Sequence, residues 1–284
     1  MFIKNLTLQN FKNHSSRFIE FSPQINCIVG DNGVGKTNIL DALHYLSVGK
    51  SFLGNSDLNN ITENEDFFSI EALISNENKE DILKIIQNKE SRKIIKKNDK
   101  NYSKIADHIG YLPSVMISPY DQNLISDSSE SRRKFMDAMI SQTDREYLFS
   151  LIHYQKTLQQ RNALLKNFQK SRTFDSDSLE IYDEPLIKYG QIIFEKRKKF
   201  IHEIIPILQE YYAIISNQKE EVLISYQSDL EQDFRILLTE NLEKDRILTY
   251  TSKGIHKDDL LFEMDGQLIK KIGSQGQQKS FLIA

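Results

Sequence analysis

Residues 30–38 read GDNGVGKTN. Gly30, four further residues and then Gly35-Lys36-Thr37 satisfy G-x-x-x-x-G-K-[ST], the pattern of a phosphate-binding loop. Glycines let a backbone fold round a phosphate and turn its N–H groups inward. A helix starting at the loop adds unpaired N-terminal donors and the positive end of its dipole. The flanks fit that reading. INCIVG (25–30) is a short apolar run of strand character. Residues 36–48 predict a helix with Ile39, Leu40, Leu43 and Leu46 along one face. The loop therefore predicts a nucleotide cradle built from Gly30, Asp31, Asn32, Gly33, Val34, Gly35, Lys36, Thr37 and Asn38. Lys36 would reach the β- and γ-phosphates of ATP, and the Thr37 hydroxyl would ligate Mg²⁺.

Outward from the loop, FIKNLTL and RFIEF alternate as strands, and FFSIEALIS and DILKIIQ follow them. Asn98-Asp99 predicts a hairpin turn. From about residue 129 to 215 the texture becomes helical, broken by the polar stretch 171–178. Pro206, inside the second helical run, predicts a kink or break. Strand-like alternation returns at EVLISYQ, RILTYTSKG and DLLFEMDGQLIKKI. The chain has 284 residues, 39% hydrophobic and 27% charged, with a net charge of -3. That describes an ordinary folded protein, and any nucleic-acid surface must be a local patch. Cys27 is the single cysteine and reads as a small core residue in a reducing cytosol. No apolar run reaches membrane-spanning length, and the N-terminus lacks the apolar core of a signal peptide.

A phosphate loop alone does not choose among kinases, GTPases, transporters and repair ATPases. Three further stretches narrow the choice. LTLQNFKNHSSRF leads into the loop. ISPYDQNLISDSSESRRKFMD leads to a Tyr-containing helix ending in QRNALLK. GIHKDDL precedes SQGQQKS. Together with the loop they closely resemble the RecF family, whose ABC-type ATPase heads are related to those of SMC proteins. The resemblance covers the whole chain in order. It implies an α/β fold: a P-loop NTPase, the ABC-type ATPase head, with an α/β nucleotide-binding lobe at 1–112 and a largely helical second lobe at 113–284. Ile255 stands where the family usually has Pro, and Lys12 where it often has Arg.

The resemblance further implies ATP and Mg²⁺ as cofactors. It places Lys12 near the nucleotide and gives Ser274, Gln275, Gly276, Gln277 and Gln278 the role of a signature that completes the site of a second copy. Ser274 and Gln277 also form an S-x-x-Q capping box at a helix start. Implied partners are gapped DNA with single-strand/double-strand junctions, a homodimer formed with ATP, and a RecR-type mediator. The implied setting is cytoplasmic, in recombinational repair, replication restart and the SOS response. An SMC-type head or a transporter ATPase subunit is the alternative, although SQGQQ departs from a transporter's LSGGQ.

The sequence departs from the family in one larger respect. No run of four apolar residues in these 284 residues is followed by Asp-Asp or Asp-Glu, and Asp258-Asp259 precedes its run. The family's Walker B strand and switch segment are therefore expected beyond Ala284. These residues alone are expected to bind ATP without efficient hydrolysis. Residues 88–104 hold seven Lys or Arg against Glu90 and Asp99, a local net of +5. A solvated hairpin would carry the same charges, but the family context makes Lys93, Lys96 and Lys97 candidate DNA contacts through phosphate neutralisation. Lys196–Lys199 reads as a solvated helix face. Asp121 and Gln122 follow VMI (115–117), an apolar run that predicts a strand, and Gln122 is a candidate Mg²⁺ ligand. His256, in the turn before the signature, is a further candidate.

Overall fold

The computed structural model describes residues 1–54, 56–76 and 79–284. The chain divides into two compact units, Met1–Met116 and Ile117–Ala284.

Alternating sequences build the first unit's sheet. β1 (Phe2–Phe11), β2 (His14–Glu20), β3 (Phe67–Asn76), β4 (Lys79–Asn88), β5 (Ile94–Lys97) and β6 (Lys100–Asn101) lie in the order β2-β1-β3-β4-β5-β6, all antiparallel. Leu6 faces Ala72, Ile70 faces Ile85, and Ile85 faces Ile95 across the ladders. One face of β1, β3 and β4 is thus apolar and buried, as a period of two requires. Asn98 and Asp99 both take positive φ (49° and 60°) between paired Lys97 and Lys100, the turn that twisted strands favour.

The helix α1 spans Lys36–Val48, as its pattern predicts. It buries Ile39, Ala42, Tyr45 and Leu46, with Phe11, Tyr45 and Phe68 meeting edge to face. Leu40 instead points outward, because the buried stripe runs through Ala42 and Tyr45. α2 (Ile105–His108) is a single turn, with buried His108 bonded to the Leu46 carbonyl at 2.7 Å.

The expected strand at 25–30 does not form. Ile25 and Val29 are each 86% exposed, and Cys27 is exposed rather than a core residue. Among the described residues no strand pairs with this run. Local bonds shape it instead. Asn26 accepts from the Ser22 amide at 2.7 Å and returns its carboxamide to the Ser22 carbonyl at 2.9 Å. Such side-chain bonds compete with strand pairing when no partner ladder is present.

The second unit is helical round a small sheet. α3 (Asn123–Ser126), α4 (Ser129–Thr143), α5 (Arg145–Ser171) and α6 (Ser176–Ser216) precede β7 (Val222–Gln227). α7 (Phe234–Glu240) and α8 (Leu242–Leu248) follow, then β8 (Asp259–Met264), β9 (Gln267–Leu268), α9 (Ile269–Ile272) and α10 (Gln275–Ile283). The antiparallel order is β7-β8-β9. The core joins Tyr147, Leu151, Tyr154, Ile193, Phe194, Tyr212, Phe262 and Phe281. Gly190 is required where α6 crosses Phe234, since a Cβ there would sit 2.9 Å from the ring.

Three further expectations change. α6 runs unbroken through Pro185 and Pro206. A proline frees the carbonyl four residues earlier. Those residues are Ile181 and His202, and both are exposed, so water can take the bond. The stretch 246–254 is not a strand: Arg246–Leu248 close α8, and Thr249 ends it at φ 61°. VMI is not a strand either, with Val115 and Ile117 exposed.

Candidate nucleotide-binding site

The loop leaves Gly30 at φ 152°, Gly33 at 86° and Gly35 at 94°, and α1 begins at Lys36. A side chain is strained at these angles, which is why the curve needs glycine. The Ile39 amide is the first to bond within the helix, to the Gly35 carbonyl at 3.1 Å. The amides of Lys36, Thr37 and Asn38 come before it and, by helix geometry, have no intrahelical acceptor. The Lys36 ammonium bonds the Gly30 and Asp31 carbonyls, both at 2.7 Å, and so folds over the loop. The Thr37 hydroxyl is on an exposed residue. Positive-φ glycines, free helix-start amides, an ammonium and a hydroxyl within eight positions suit a triphosphate and its divalent cation.

The first β-turn supports this loop. Asn13 donates to the Gly33 carbonyl at 3.2 Å and accepts from the Asn38 carboxamide at 2.8 Å. His14 Nε2 bonds the Gly35 carbonyl at 3.2 Å. Neither residue stood out in the sequence beyond the NFKNH motif itself. Lys12, expected near the nucleotide, sits in the same turn at φ 53°. Its ammonium meets Asp41 of α1 at 2.6 Å. Asp41 is fully buried and also accepts from the Ser51 hydroxyl and the Phe52 amide. The pair thus ties the turn to the loop's own helix, and the Lys12 cation is directed at a carboxylate.

In the second unit the signature forms as its spacing predicts. The Ser274 amide donates to Gln277 Oε1 at 2.7 Å, and the Gln277 amide to Ser274 Oγ at 3.2 Å. Ser274, Gln275 and Gly276 are exposed at the start of α10. Gln277 also donates to Glu220 at 2.7 Å, and Gln278 to the Gly273 carbonyl at 3.0 Å. The Pro119–Gln122 turn lies against α10. Asp121 is engaged there, accepting from the Ser118 amide at 2.5 Å, which leaves the neighbouring Gln122 side chain without that capping duty.

The other stretches that carried the resemblance meet as buried ion pairs. Arg132 grips Asp259 with Nε and Nη2 at 2.6 and 3.1 Å. Arg133 donates to the Asp258 carbonyl at 2.6 Å. Arg161, fully buried, holds Asp183 at 2.6 Å and Asp245 at 2.8 Å. Arg197 joins Asp137 and Asp258, both at 2.7 Å, and is 1% exposed. Lys196–Lys199 is therefore not a solvated face throughout. Burial pushes the Asp258 carboxyl up, against the pull of Arg197. His256 is internal too. Its Nδ1 faces the Tyr154 hydroxyl and its Nε2 the Thr251 carbonyl, both at 2.9 Å, and burial lowers its pKa to about 4. It is a neutral bridge within the fold.

The candidate DNA lysines separate. Lys93 turns inward, with its ammonium 2.6 Å from Asp57 and over the Tyr45 ring. Lys97 pairs with Asp81 at 2.9 Å and stacks on Tyr111 at 3.8 Å. The Tyr111 hydroxyl and Lys97 hold Asp81 down to about 2. These two cations are engaged within the protein. Lys96 projects from the opposite side of β5, with exposed Lys100 and Lys104 beyond it.

Comparison with known proteins gives the family. The AAA domain family matches residues 5–272. The DNA replication and repair protein RecF of Flavobacterium johnsoniae is 50% identical over 285 residues, covering all of this chain and 79% of that protein. RecF of Parabacteroides distasonis is 44% identical, with 77% of its length covered. A solved structure of the recombination mediator protein RecF with ATP, from the RecFOR pathway, superposes with a TM-score of 0.93 at 30% identity. It covers 99% of this chain and 78% of that one. The Smc head domain of Pyrococcus furiosus shares the fold, at 18% identity and a TM-score of 0.51. No helix among the described residues is long and apolar enough to cross a membrane. With an ABC-type ATPase head fold, a phosphate loop at Gly30–Asn38 and relatives that match it from end to end, this chain belongs to the RecF family of DNA replication and repair proteins.

Proposed function

We propose that this chain binds ATP through Gly30–Asn38 and uses it to pair two copies on gapped DNA during recombinational repair and replication restart in the cytoplasm. The observation that carries the reading is the loop itself: Lys36 over the Gly30 and Asp31 carbonyls, at the start of a helix whose first amides lack intrahelical acceptors. Mg²⁺ bound through the Thr37 hydroxyl would neutralise phosphate charge; Gln122 is a second candidate ligand by its place in the sequence alone. Ser274, Gln275, Gly276, Gln277 and Gln278 would meet the nucleotide of a second copy, and their exposed, capped helix start supports this. DNA contact rests on Lys96 with Lys100 and Lys104, rather than on Lys93 and Lys97. A RecR-type mediator is the proposed protein partner. Weak likeness to an Smc head supports only the shared fold.

Sedimentation velocity with and without ATP and Mg²⁺ tests the pairing. The expected result is a monomer without nucleotide and a dimer with ATP. Ser274→Arg, which fills the signature start, should stay monomeric while still binding ATP. A wild-type monomer under saturating ATP would contradict pairing through this signature. Phosphate release from the same samples tests the further expectation that these 284 residues hydrolyse ATP poorly.

A further inference from the structure

The phosphate loop's carbonyls are held from outside the loop. A trans peptide holds its C=O and the following N–H in one plane, pointing in opposite directions. Whatever fixes the Gly33 carbonyl therefore also fixes the direction of the Val34 N–H. The same link joins the Gly35 carbonyl to the Lys36 N–H. Asn13 holds the first carbonyl at 3.2 Å and His14 the second at 3.2 Å. Asn13 is itself oriented by Asn38, which donates to its Oδ1 at 2.8 Å. A carbonyl only accepts, so His14 must carry its proton on Nε2. The fit is close. A Cβ on Gly35 would lie 2.4 Å from Asn13 Oδ1 and 2.5 Å from His14 Nε2, so the turn and the glycine require each other.

We propose that Asn13 and His14 are positioning residues of the nucleotide site: they turn the Gly33 and Gly35 peptides so that the Val34 and Lys36 amides point into the cradle. The proposal rests on the nucleotide reading above. It gives the turn between the first two strands a role in nucleotide binding without any contact to the nucleotide. Lys12, between them and the sheet, anchors the same turn to α1 through Asp41.

The test uses the whole 284-residue chain with His14→Ala, His14→Gln, Asn13→Ala and Asn13→Asp. Gln at 14 retains an N–H donor. Asp at 13 still accepts from Asn38 but presents an oxygen to the Gly33 carbonyl. The first readout is the amide resonances of Val34 and Lys36 without nucleotide. Changes at 13 should move the Val34 amide, His14→Ala should move that of Lys36, and His14→Gln should return it toward wild type. The second readout is ATP affinity with Mg²⁺ by calorimetry. His14→Ala and Asn13→Asp should each bind about tenfold more weakly, the scale of one lost hydrogen bond, and His14→Gln should bind near wild type. Unmoved amides in both alanine variants would overturn the proposal, as would His14→Gln binding as weakly as His14→Ala. Should the alanine variants fail to fold, His14→Gln and Asn13→Asp carry both readouts. If the wild-type chain binds no ATP, the nucleotide reading fails, while the amide resonances still decide whether the turn sets the loop.

Discussion

Arg197 sits in the middle of a charged run yet has almost no contact with water. It donates to Asp137, to Asp258, to the Ile255 carbonyl and to the Tyr147 hydroxyl. Removing one member of a buried ion pair leaves the others uncompensated, a cost of about 3–5 kcal/mol. Arg197→Met should therefore lower the unfolding free energy from denaturant titration by an amount on that scale, and an unchanged value would mean the carboxylates find other partners. His256 gives a second residue-scale test. Burial lowers its pKa from 6.5 to about 4, so the folded state binds fewer protons than the unfolded chain between those values. Unfolding free energy should be fully present above pH 6.5 and decline as pH falls toward 4, by up to about 3 kcal/mol from this group. His256→Gln should flatten the slope in that window, measured as urea unfolding at stepped pH.

The elements that a sequence reveals are those whose cause is local. The hairpin at Asn98-Asp99, α1 at 36–48 and the Ser274–Gln277 cap each depend on a few neighbouring residues, and each forms as read. The misread elements depend on distant partners. INCIVG has strand composition, but no strand among the described residues lies beside it. Lys93 counts as a basic-patch residue until Asp57 and Tyr45, 36 and 48 positions away, take its ammonium. The Asn13–Gly33 and His14–Gly35 bonds span 20 and 21 positions and leave no periodic trace. Pro206 shows the opposite case, a strong local signal overruled by packing. Leu208 and Tyr212 bury beyond it and hold the helix on course. Pro206→Ala restores a backbone donor on an exposed face and should stabilise the second unit, by at most about 3 kcal/mol. A fall in thermal midpoint would show that the proline is matched to a bend the helix needs.

At the scale of the whole molecule, each compact unit holds one of the motifs that carried the family resemblance. The first holds the phosphate loop and the turn that braces it. The second holds the signature cap on a core pinned by Arg132, Arg161 and Arg197. The chain spans about three quarters of the RecF relatives it matches, and both units lie within that match. The family was legible because its motifs surround residues with fixed tasks: glycines at positive φ, a cap, and arginines facing carboxylates. Whether Gly30–Asn38 holds a nucleotide is decided by calorimetric titration with ATP and Mg²⁺. One site per chain is expected, with Lys36→Ala at least about tenfold weaker, the loss of a charge-assisted contact to phosphate. Equal ATP affinity in wild type and Lys36→Ala would contradict it.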